Sequence, residues 1–214
     1  MSKALLEVKD LKLYYPTKVK TGLGTKKKYV KAVDGISFSV MEGETFGLVG
    51  ESGCGKSTAG KVIVKLLTPT EGHVLYEGHD IFSKENIEKH KDLTKKIQII
   101  FQDPYSSLDP RFTVGRSIGE PMVVHKEGTK VERKEQVLKL MKEVGLREEH
   151  YTKYPHEFSG GQRQRIGVAR ALALRPSLLV CDEPVSALDV SIQAQILNLM
   201  QELQNKYNLT YIFI

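Results

Sequence analysis

Residues 50–58 read Gly50-Glu51-Ser52-Gly53-Cys54-Gly55-Lys56-Ser57-Thr58 and match the pattern G-x-x-x-x-G-K-[ST]. The apolar residues 45–49 predict a strand before this stretch, and the spacing of 56–67 predicts a helix after it. Glycines let the backbone close around a polyphosphate, so that several N–H groups point inward. Lys56 adds a charge, the helix N-terminus adds its dipole, and the Ser57 hydroxyl is placed to ligate Mg²⁺. A Gly-rich turn is the alternative, but both flanks favour a nucleotide site.

Two carboxylates, Asp182 and Glu183, follow the apolar run 177–181. Such a run is typical of a strand buried on both faces of a parallel sheet, and ligands bind at the carboxyl ends of such strands. Gln102 follows another predicted strand, and we expect it to reach both the metal and the attacking water. Asp182 is expected to hold Mg²⁺ through water, and Glu183 to act as general base. Exposed turn acids are the alternative, but a turn requires no apolar strand before it.

A second anion site is predicted at the helix start Ser159-Gly160-Gly161-Gln162. Ser159 is a natural N-cap, and the glycines expose the N–H groups of the first turn. Taken alone, the stretch is equally consistent with a capped helix after a tight turn. One nucleotide is not easily enclosed by this stretch and by residues 50–58 of the same chain, whereas two chains could each close the other's nucleotide. The same helix is predicted to expose Arg163 and Arg170 to solvent.

The composition is that of an ordinary globular protein, with 214 residues, 40% hydrophobic and 27% charged. The sequence has no apolar run long enough to cross a bilayer and no signal-peptide pattern at its start, so we expect a cytosolic chain. Two cysteines, Cys54 and Cys181, predict packing residues rather than a disulfide framework or metal cluster. The net charge of +6 is compatible with polyanions or a membrane surface.

The N-terminal part predicts β structure. Strand patterns at 5–15 end at Pro16, and a half-buried strand follows at 32–40. Residues 17–31 are rich in Lys and Gly and predict a solvated loop, with contact to lipid head groups or an acidic partner as the alternative.

The middle of the chain changes from predicted strands to predicted helices. Residues 103–158 predict mostly helix, including a segment stopped by Gly145. We interpret 1–214 as a single domain, with a nucleotide-binding core at 1–102 and 159–214 and a helical subdomain at 103–158 inserted into it.

These motifs, in this order and spacing, resemble those of an ABC-type ATPase over almost the whole chain. The matching stretches are Walker A at Gly50–Thr58, the Q-loop at Gln102, the signature at Ser159–Gln162, Walker B at Leu178–Glu183 and the D-loop at Ser186-Ala187-Leu188-Asp189. The local sequence of residues 101–111, 154–159 and 186–195 further resembles that of the oligopeptide/dipeptide (Opp/Dpp) importer ATPases. The resemblance implies an α/β P-loop NTPase with a RecA-like core, an N-terminal antiparallel β portion and an inserted helical subdomain.

The resemblance also implies ATP and Mg²⁺ as cofactors and a role for each motif residue. The nucleotide is expected on Gly50, Glu51, Ser52, Gly53, Cys54, Gly55, Lys56, Ser57 and Thr58, the metal on Ser57, Gln102 and Asp182, and catalysis on Glu183 and Gln102. An aromatic residue near the N-terminus is expected to stack on adenine, either Tyr15 or, as the alternative, Tyr29. The signature residues Ser159, Gly160, Gly161 and Gln162 are expected to contact the nucleotide of the opposite subunit.

By this resemblance the chain is expected to be the energy-coupling ATPase of an importer for di- or oligopeptides, peripheral on the cytoplasmic face of the membrane. Its implied partners are a second ABC ATPase subunit, identical or related, and permease subunits reached through Gln102–Phe112. A solute-binding protein would be met only indirectly, and nucleic acid not directly. The alternatives are an importer ATPase for another solute such as nickel or a glycoside, a soluble ABC ATPase acting on nucleic acid or ribosomes, and a binding-only module.

The sequence departs from the family in one place. ABC-type ATPases carry a switch histidine just past the last strand, and this sequence ends at Ile214, before that position. His156 precedes the signature and cannot replace it. We therefore expect a truncated chain that binds nucleotide but hydrolyses ATP slowly.

Overall fold

The structure is a computed structural model that describes residues 4–21, 24–83 and 93–214. An all-β beginning gives way to alternating strands and helices. In chain order the labelled elements are β1 (Ala4–Thr21), β2 (Gly24–Met41), β3 (Thr45–Gly47), α1 (Lys56–Ile63), β4 (Glu71–Tyr76), β5 (His79–Asp80), β6 (Ile97–Ile100), α2 (Pro104–Ser107), α3 (Val114–Val124), α4 (Lys130–Glu143), α5 (Gly160–Leu172), β7 (Leu178–Cys181), α6 (Val190–Tyr207) and β8 (Thr210–Phe213). Two 3₁₀ helices, Glu148–Thr152 and Pro155–Glu157, lie between α4 and α5.

A parallel sheet in the order β3-β8-β7-β6 forms the centre of the molecule. All four residues of β7 are buried, which confirms the prediction from its continuous apolar run. Leu178 and Val180 belong to a hydrophobic cluster shared with α1 and the antiparallel strands, whereas Leu179 and Cys181 belong to a second cluster shared with α3 to α6. The end of β7 is therefore fixed from both faces, and burial raises the pKa of the Cys181 thiol.

The antiparallel sheet, in the order β2-β1-β4-β5, contains a long β1–β2 hairpin. Pro16 does not end the first strand, contrary to the sequence prediction, because it pairs with Tyr29 in a register that continues to Thr21. The pairing of β1 with β4 reaches only Lys12–Glu71, and beyond that point no strand among the described residues pairs with this edge of β1. Proline is tolerated where its missing N–H can face an open edge. Of the loop predicted at 17–31, residues 17–21 and 24–31 are therefore strand, and 22–23 lie outside the described residues.

The half-buried strand predicted at 32–40 is confirmed as the second half of β2. Val40 is buried, and Ile36 and Phe38 pack against the same cluster. Phe38 also stacks on Phe46 of β3 with ring centroids 4.9 Å apart. This contact joins the antiparallel sheet to the strand that leads into the loop at 50–58.

The helices of residues 103–158 share one hydrophobic cluster with α5 and α6. The side chain of Thr129 caps α4 in a reciprocal arrangement with Glu132. Gly145 lies just past the end of α4 with φ +75°, as a left-handed C-terminal residue, which confirms the predicted stop. Within the described residues, no helix has both the length and the apolar character that crossing a bilayer requires.

The predicted solvent-facing arginine edge of α5 is wrong, since Arg163 and Arg170 are both half-buried. Arg170 donates to the Ser107 carbonyl oxygen at 2.5 Å, and burial lowers its pKa. Arg163 donates through Nε to the Pro155 carbonyl oxygen at 2.8 Å and lies over the Tyr105 ring, 5.0 Å from its centroid. Long side chains bury their stems and carry polar ends to distant backbone groups, which helical spacing does not reveal.

Candidate nucleotide-binding site

The loop between β3 and α1 is curled around the ammonium of Lys56. Lys56 Nζ donates to the carbonyl oxygens of Gly50 at 2.7 Å and of Glu51 at 2.6 Å. Gly55 ends the curl with φ +98°, and a Cβ atom there would lie 1.9 Å from the Ala32 carbonyl oxygen. A residue with a side chain cannot occupy this position without displacing β2. The glycine pattern therefore closes the loop directly before the N-terminus of α1, where an anion is favoured.

Ser57 and Asp182 meet although 125 positions separate them in the sequence. The Ser57 hydroxyl donates to Asp182 Oδ1 at 2.7 Å. Asp182 is buried, and its backbone N–H donates to the Ile100 carbonyl oxygen at 2.9 Å, which holds the carboxylate at the strand end. Hydroxyl and carboxylate oxygens are ligands that Mg²⁺ accepts, and its remaining positions are usually filled by water and phosphate oxygens.

A magnesium ion fits this donor set better than a transition metal would. Among the described residues there is no group of three or more His, Cys, Asp or Glu side chains placed to hold a metal. Of the three predicted metal ligands, Ser57 and Asp182 are in direct contact, whereas the Gln102 side chain contacts Glu183. An ion between Ser57 and Asp182 would take its other ligands from water and the nucleotide's phosphates. This is the arrangement typical of magnesium in phosphate sites.

Gln102 and Glu183 form the second pair of the site. Gln102 Nε2 donates to Glu183 Oε2 at 2.7 Å and reaches the Ser186 hydroxyl at 3.5 Å. Glu183 has φ +45°, a left-handed conformation that is uncommon outside glycine, and its N–H donates to the Ile214 carbonyl oxygen at 3.2 Å. Local strain of this kind concentrates at functional sites. The strained backbone directs the carboxylate away from the strand and beside Gln102.

The phosphate loop and the Glu183 turn line one open cleft. Its volume is about 460 Å³, and its walls include Gly50, Lys56, Glu183 and Ser186. The structure thus brings together the predicted loop, the strand-end acids and the start of the predicted D-loop. Phe213 and Ile214 also line the cleft, and sequence reasoning did not assign them to it. The sequence could have indicated these two residues, because they end a strand parallel to β7 and parallel strands end at the same edge of a sheet.

The signature stretch lies apart from the residues that line this cleft. Ser159 caps α5 as predicted, accepting from the Gln162 N–H at 3.3 Å while its own N–H donates to Gln162 Oε1 at 3.1 Å. A Cβ atom at Gly161 would lie 2.5 Å from Ile192 Cγ2, and one at Gly160 would lie 3.2 Å from Leu188 Cδ2. The two glycines therefore let the start of α5 pack against the D-loop and α6, a contact that the local sequence does not show.

A Ser57→Ala variant is expected to bind Mg-ATP about tenfold more weakly or worse. The substitution removes the hydroxyl oxygen that would ligate Mg²⁺ beside Asp182, and a loss of about 1.4 kcal/mol is a tenfold change in affinity. Calorimetric titration with ATP, with and without magnesium, checks this. The loss should appear only with magnesium, and an equal loss with EDTA would contradict a metal role for Ser57.

Comparison with known proteins identifies the family of the chain. The family model described as "ABC transporter" matches residues 33–186. The oligopeptide transport ATP-binding protein AppF of Bacillus subtilis is 55% identical over 98% of this chain and 64% of its own length. The dipeptide transport ATP-binding protein DppF of Escherichia coli is 49% identical over 100% of this chain and 63% of its own length. The chain thus spans a little under two thirds of the length of these two relatives.

Solved structures support the same fold. A dimeric ATP-binding cassette in a post-hydrolysis state, bound to ADP and Pi, superposes with a TM-score of 0.81 at 29% identity, covering 97% of this chain and 86% of that one. The structure of cbiO1 from Clostridium perfringens superposes with a TM-score of 0.77 at 28% identity, covering 98% of this chain and 77% of that one. The predicted α/β P-loop NTPase fold is therefore confirmed. Since the family model covers most of the sequence and both relatives match nearly all of it, the chain belongs to the ABC transporter family of ATP-binding cassettes.

Proposed function

We propose that the chain is the ATP-hydrolysing, energy-coupling part of an importer for di- or oligopeptides, peripheral on the cytoplasmic face of the membrane. The observation that carries the ATPase role is the meeting of two pairs, Ser57 with Asp182 and Gln102 with Glu183, beside the loop that curls around Lys56. The peptide cargo is supported by the names of the relatives, which are oligopeptide and dipeptide transport ATP-binding proteins.

The proposed chemistry depends mainly on positioning and charge. Lys56, now held by two loop carbonyl oxygens, would turn to the β- and γ-phosphates, and the loop N–H groups would bind their oxygens. Mg²⁺, when bound through Ser57 and Asp182, would neutralise phosphate charge. Glu183 would accept a proton from the attacking water, and the Gln102 amide would orient that carboxylate.

The second nucleotide contact is proposed to come from a partner subunit. Ser159 and the N–H groups of α5 lie at an exposed helix start outside the cleft, so the nucleotide on one chain would be closed by the signature of the other. The dimeric state of the solved cassette described above supports this arrangement. Dimerisation of the isolated chain with Mg-ATP would identify the partner as a second copy, and a chain that binds Mg-ATP but stays monomeric would point to a related ATPase.

Tyr15 is proposed as the residue that stacks on adenine. Tyr15 follows Leu13 by two residues and lies on the same face of β1, where the partner residue of Leu13 is Val33. Val33 Cγ2 would lie 3.5 Å from a Cβ atom at Gly55, so this face meets the phosphate loop. Tyr29 pairs with Pro16 and therefore lies on the opposite face.

The segment Gln102–Phe112 is proposed to contact the permease. Tyr105 is 60% exposed, and Arg163 lies over its ring. Through Arg163 and the contact of Arg170 with Ser107, a force on this segment would reach α5 and the signature. The proposal includes the predicted helical subdomain at 103–158, which would begin at this segment.

Two measurements test the proposed function. Mg-ATP is expected to bind to the isolated chain and to shift it to a dimer in size-exclusion chromatography with light scattering. In proteoliposomes with the genetically adjacent permease and solute-binding protein, short peptides should raise the ATPase rate and nickel should not. Failure to bind ATP would overturn the ATPase role, and stimulation by nickel alone would overturn the peptide cargo.

A further inference from the structure

The turn between β7 and α6 carries two functional contacts of different kinds. At its start, the Ser186 hydroxyl donates to the Glu183 carbonyl oxygen at 3.1 Å and lies 3.5 Å from Gln102 Nε2. Near its end, the Leu188 side chain packs at the start of α5, where a Cβ atom at Gly160 would lie 3.2 Å from Leu188 Cδ2. The shape of this turn therefore decides how the Gln102–Glu183 pair lies relative to the signature stretch.

One side chain, that of Gln193, holds the turn from within. It is half-buried, and it reaches back from the beginning of α6, where its backbone N–H donates to the Asp189 carbonyl oxygen at 2.9 Å. Its Nε2 donates to the carbonyl oxygens of Val185 at 3.1 Å and of Leu188 at 2.9 Å. Carbonyl oxygens only accept, so the amide nitrogen must be the atom that faces them. Gln193 thus bonds one carbonyl group on each side of Ser186.

The start of α6 is not capped in the usual way. Asp189 is the N-cap residue, but among the described residues its side chain makes no capping hydrogen bond. Short acceptor side chains normally satisfy the N–H groups of the first helical turn. Gln193 instead directs donors towards carbonyl oxygens that precede the helix. Holding a glutamine side chain in one conformation costs entropy, so its inward orientation indicates that it stabilises the turn rather than the helix.

We propose that Gln193 is a positioning residue for ATP hydrolysis, which holds Ser186, and through it the Gln102–Glu183 pair, in place beside the attacking water. This rests on the proposed function, in which Glu183 activates that water. Displacing a reacting group by about 1 Å can slow a reaction roughly 100-fold. Since Gln193 contacts the turn and not the loop at 50–58, its loss should reduce turnover and leave Mg-ATP affinity unchanged.

The test begins with Gln193→Glu, which keeps the shape of the side chain but turns a carboxylate, with no donor, towards two carbonyl oxygens. Turnover, measured by phosphate release, should fall about tenfold or more, and Mg-ATP affinity, measured by calorimetry, should stay within about twofold of the parent. Gln193→Ala removes the donors without adding charge and should lose turnover in the same direction. Gln201→Glu makes the same charge change at an exposed position about two turns further along α6 and should match the parent.

A second substitution separates positioning from simple stabilisation. If Gln193 acts through Ser186, the double variant Gln193→Glu/Ser186→Ala should lose less turnover than the product of the two single losses. Urea unfolding of each variant shows whether it is folded under the assay conditions. A residue that only stabilised the chain would shift the unfolding midpoint and leave the turnover of the folded molecules unchanged.

Four outcomes would overturn the proposal: parent-like turnover in Gln193→Glu, an equal loss in Gln201→Glu, a loss of Mg-ATP affinity as large as the loss of turnover, or single losses that multiply in the double variant. A parent chain that binds Mg-ATP without turning it over would contradict the proposed function and this inference together. A parent that turns over ATP beside an equally active Gln193→Glu variant would contradict this inference alone.

Discussion

A Glu183→Gln variant is expected to lose between about 10²- and 10⁴-fold in ATP turnover and to keep its affinity for Mg-ATP. Glutamine matches glutamate in shape, and its side-chain oxygen can still accept the bond that Gln102 Nε2 donates to Glu183 Oε2 at 2.7 Å. The lost property is the capacity to take a proton from water. Steady-state phosphate release gives the turnover, and calorimetry gives the affinity.

A dimer trapped with ATP is a further expected result of this variant. If each chain closes the nucleotide of the other, blocked hydrolysis should leave the closed dimer populated in light scattering. Glu148→Gln, an exposed residue of the first 3₁₀ helix, makes the same charge change away from the cleft and should turn over ATP like the parent. Turnover within about threefold of the parent would contradict the assignment of Glu183 as general base.

The features that the sequence predicted well depend on short stretches. The phosphate loop is one such feature, because strand, glycines, lysine and helix follow each other within about twenty residues. The strand β7 is another, since a run of apolar residues between Pro176 and Asp182 has few other uses than burial on both faces. The stop of α4 at Gly145 needed only the left-handed conformation that glycine adopts freely.

The features that the sequence missed depend on residues far apart in the chain. Pro16 is a strand breaker by local rules, and only the end of the β1–β4 pairing at Lys12 explains its place within a strand. Arg170 carries a charge that local rules assign to solvent, and only the fold brings it to the Ser107 carbonyl oxygen. The pairing of Ser57 with Asp182 was expected by chemistry, but its direct hydrogen bond required the sheet register.

The other large effect is expected from Gly55→Ala, which should destabilise the chain by roughly 3 kcal/mol or more and abolish ATP binding. The new Cβ atom would lie 1.9 Å from the Ala32 carbonyl oxygen, so either β2 or the loop must move. Moving the loop changes the direction of the N–H groups before α1 and of Lys56, which together form the proposed phosphate site. Urea unfolding and Mg-ATP titration measure the two effects.

Gly53→Ala is the matched comparison, because it separates close packing from backbone conformation. Gly53 also has a left-handed backbone, with φ +79°, but a Cβ atom there would meet no atom within 4 Å. Its variant should therefore cost only the conformational penalty, about 1–2 kcal/mol, with a smaller loss of ATP affinity. The difference between the two variants measures how strongly Ala32 constrains the loop. If Gly53→Ala were as damaging as Gly55→Ala, backbone conformation would decide the loop's shape, and the approach of β2 would contribute little to nucleotide binding.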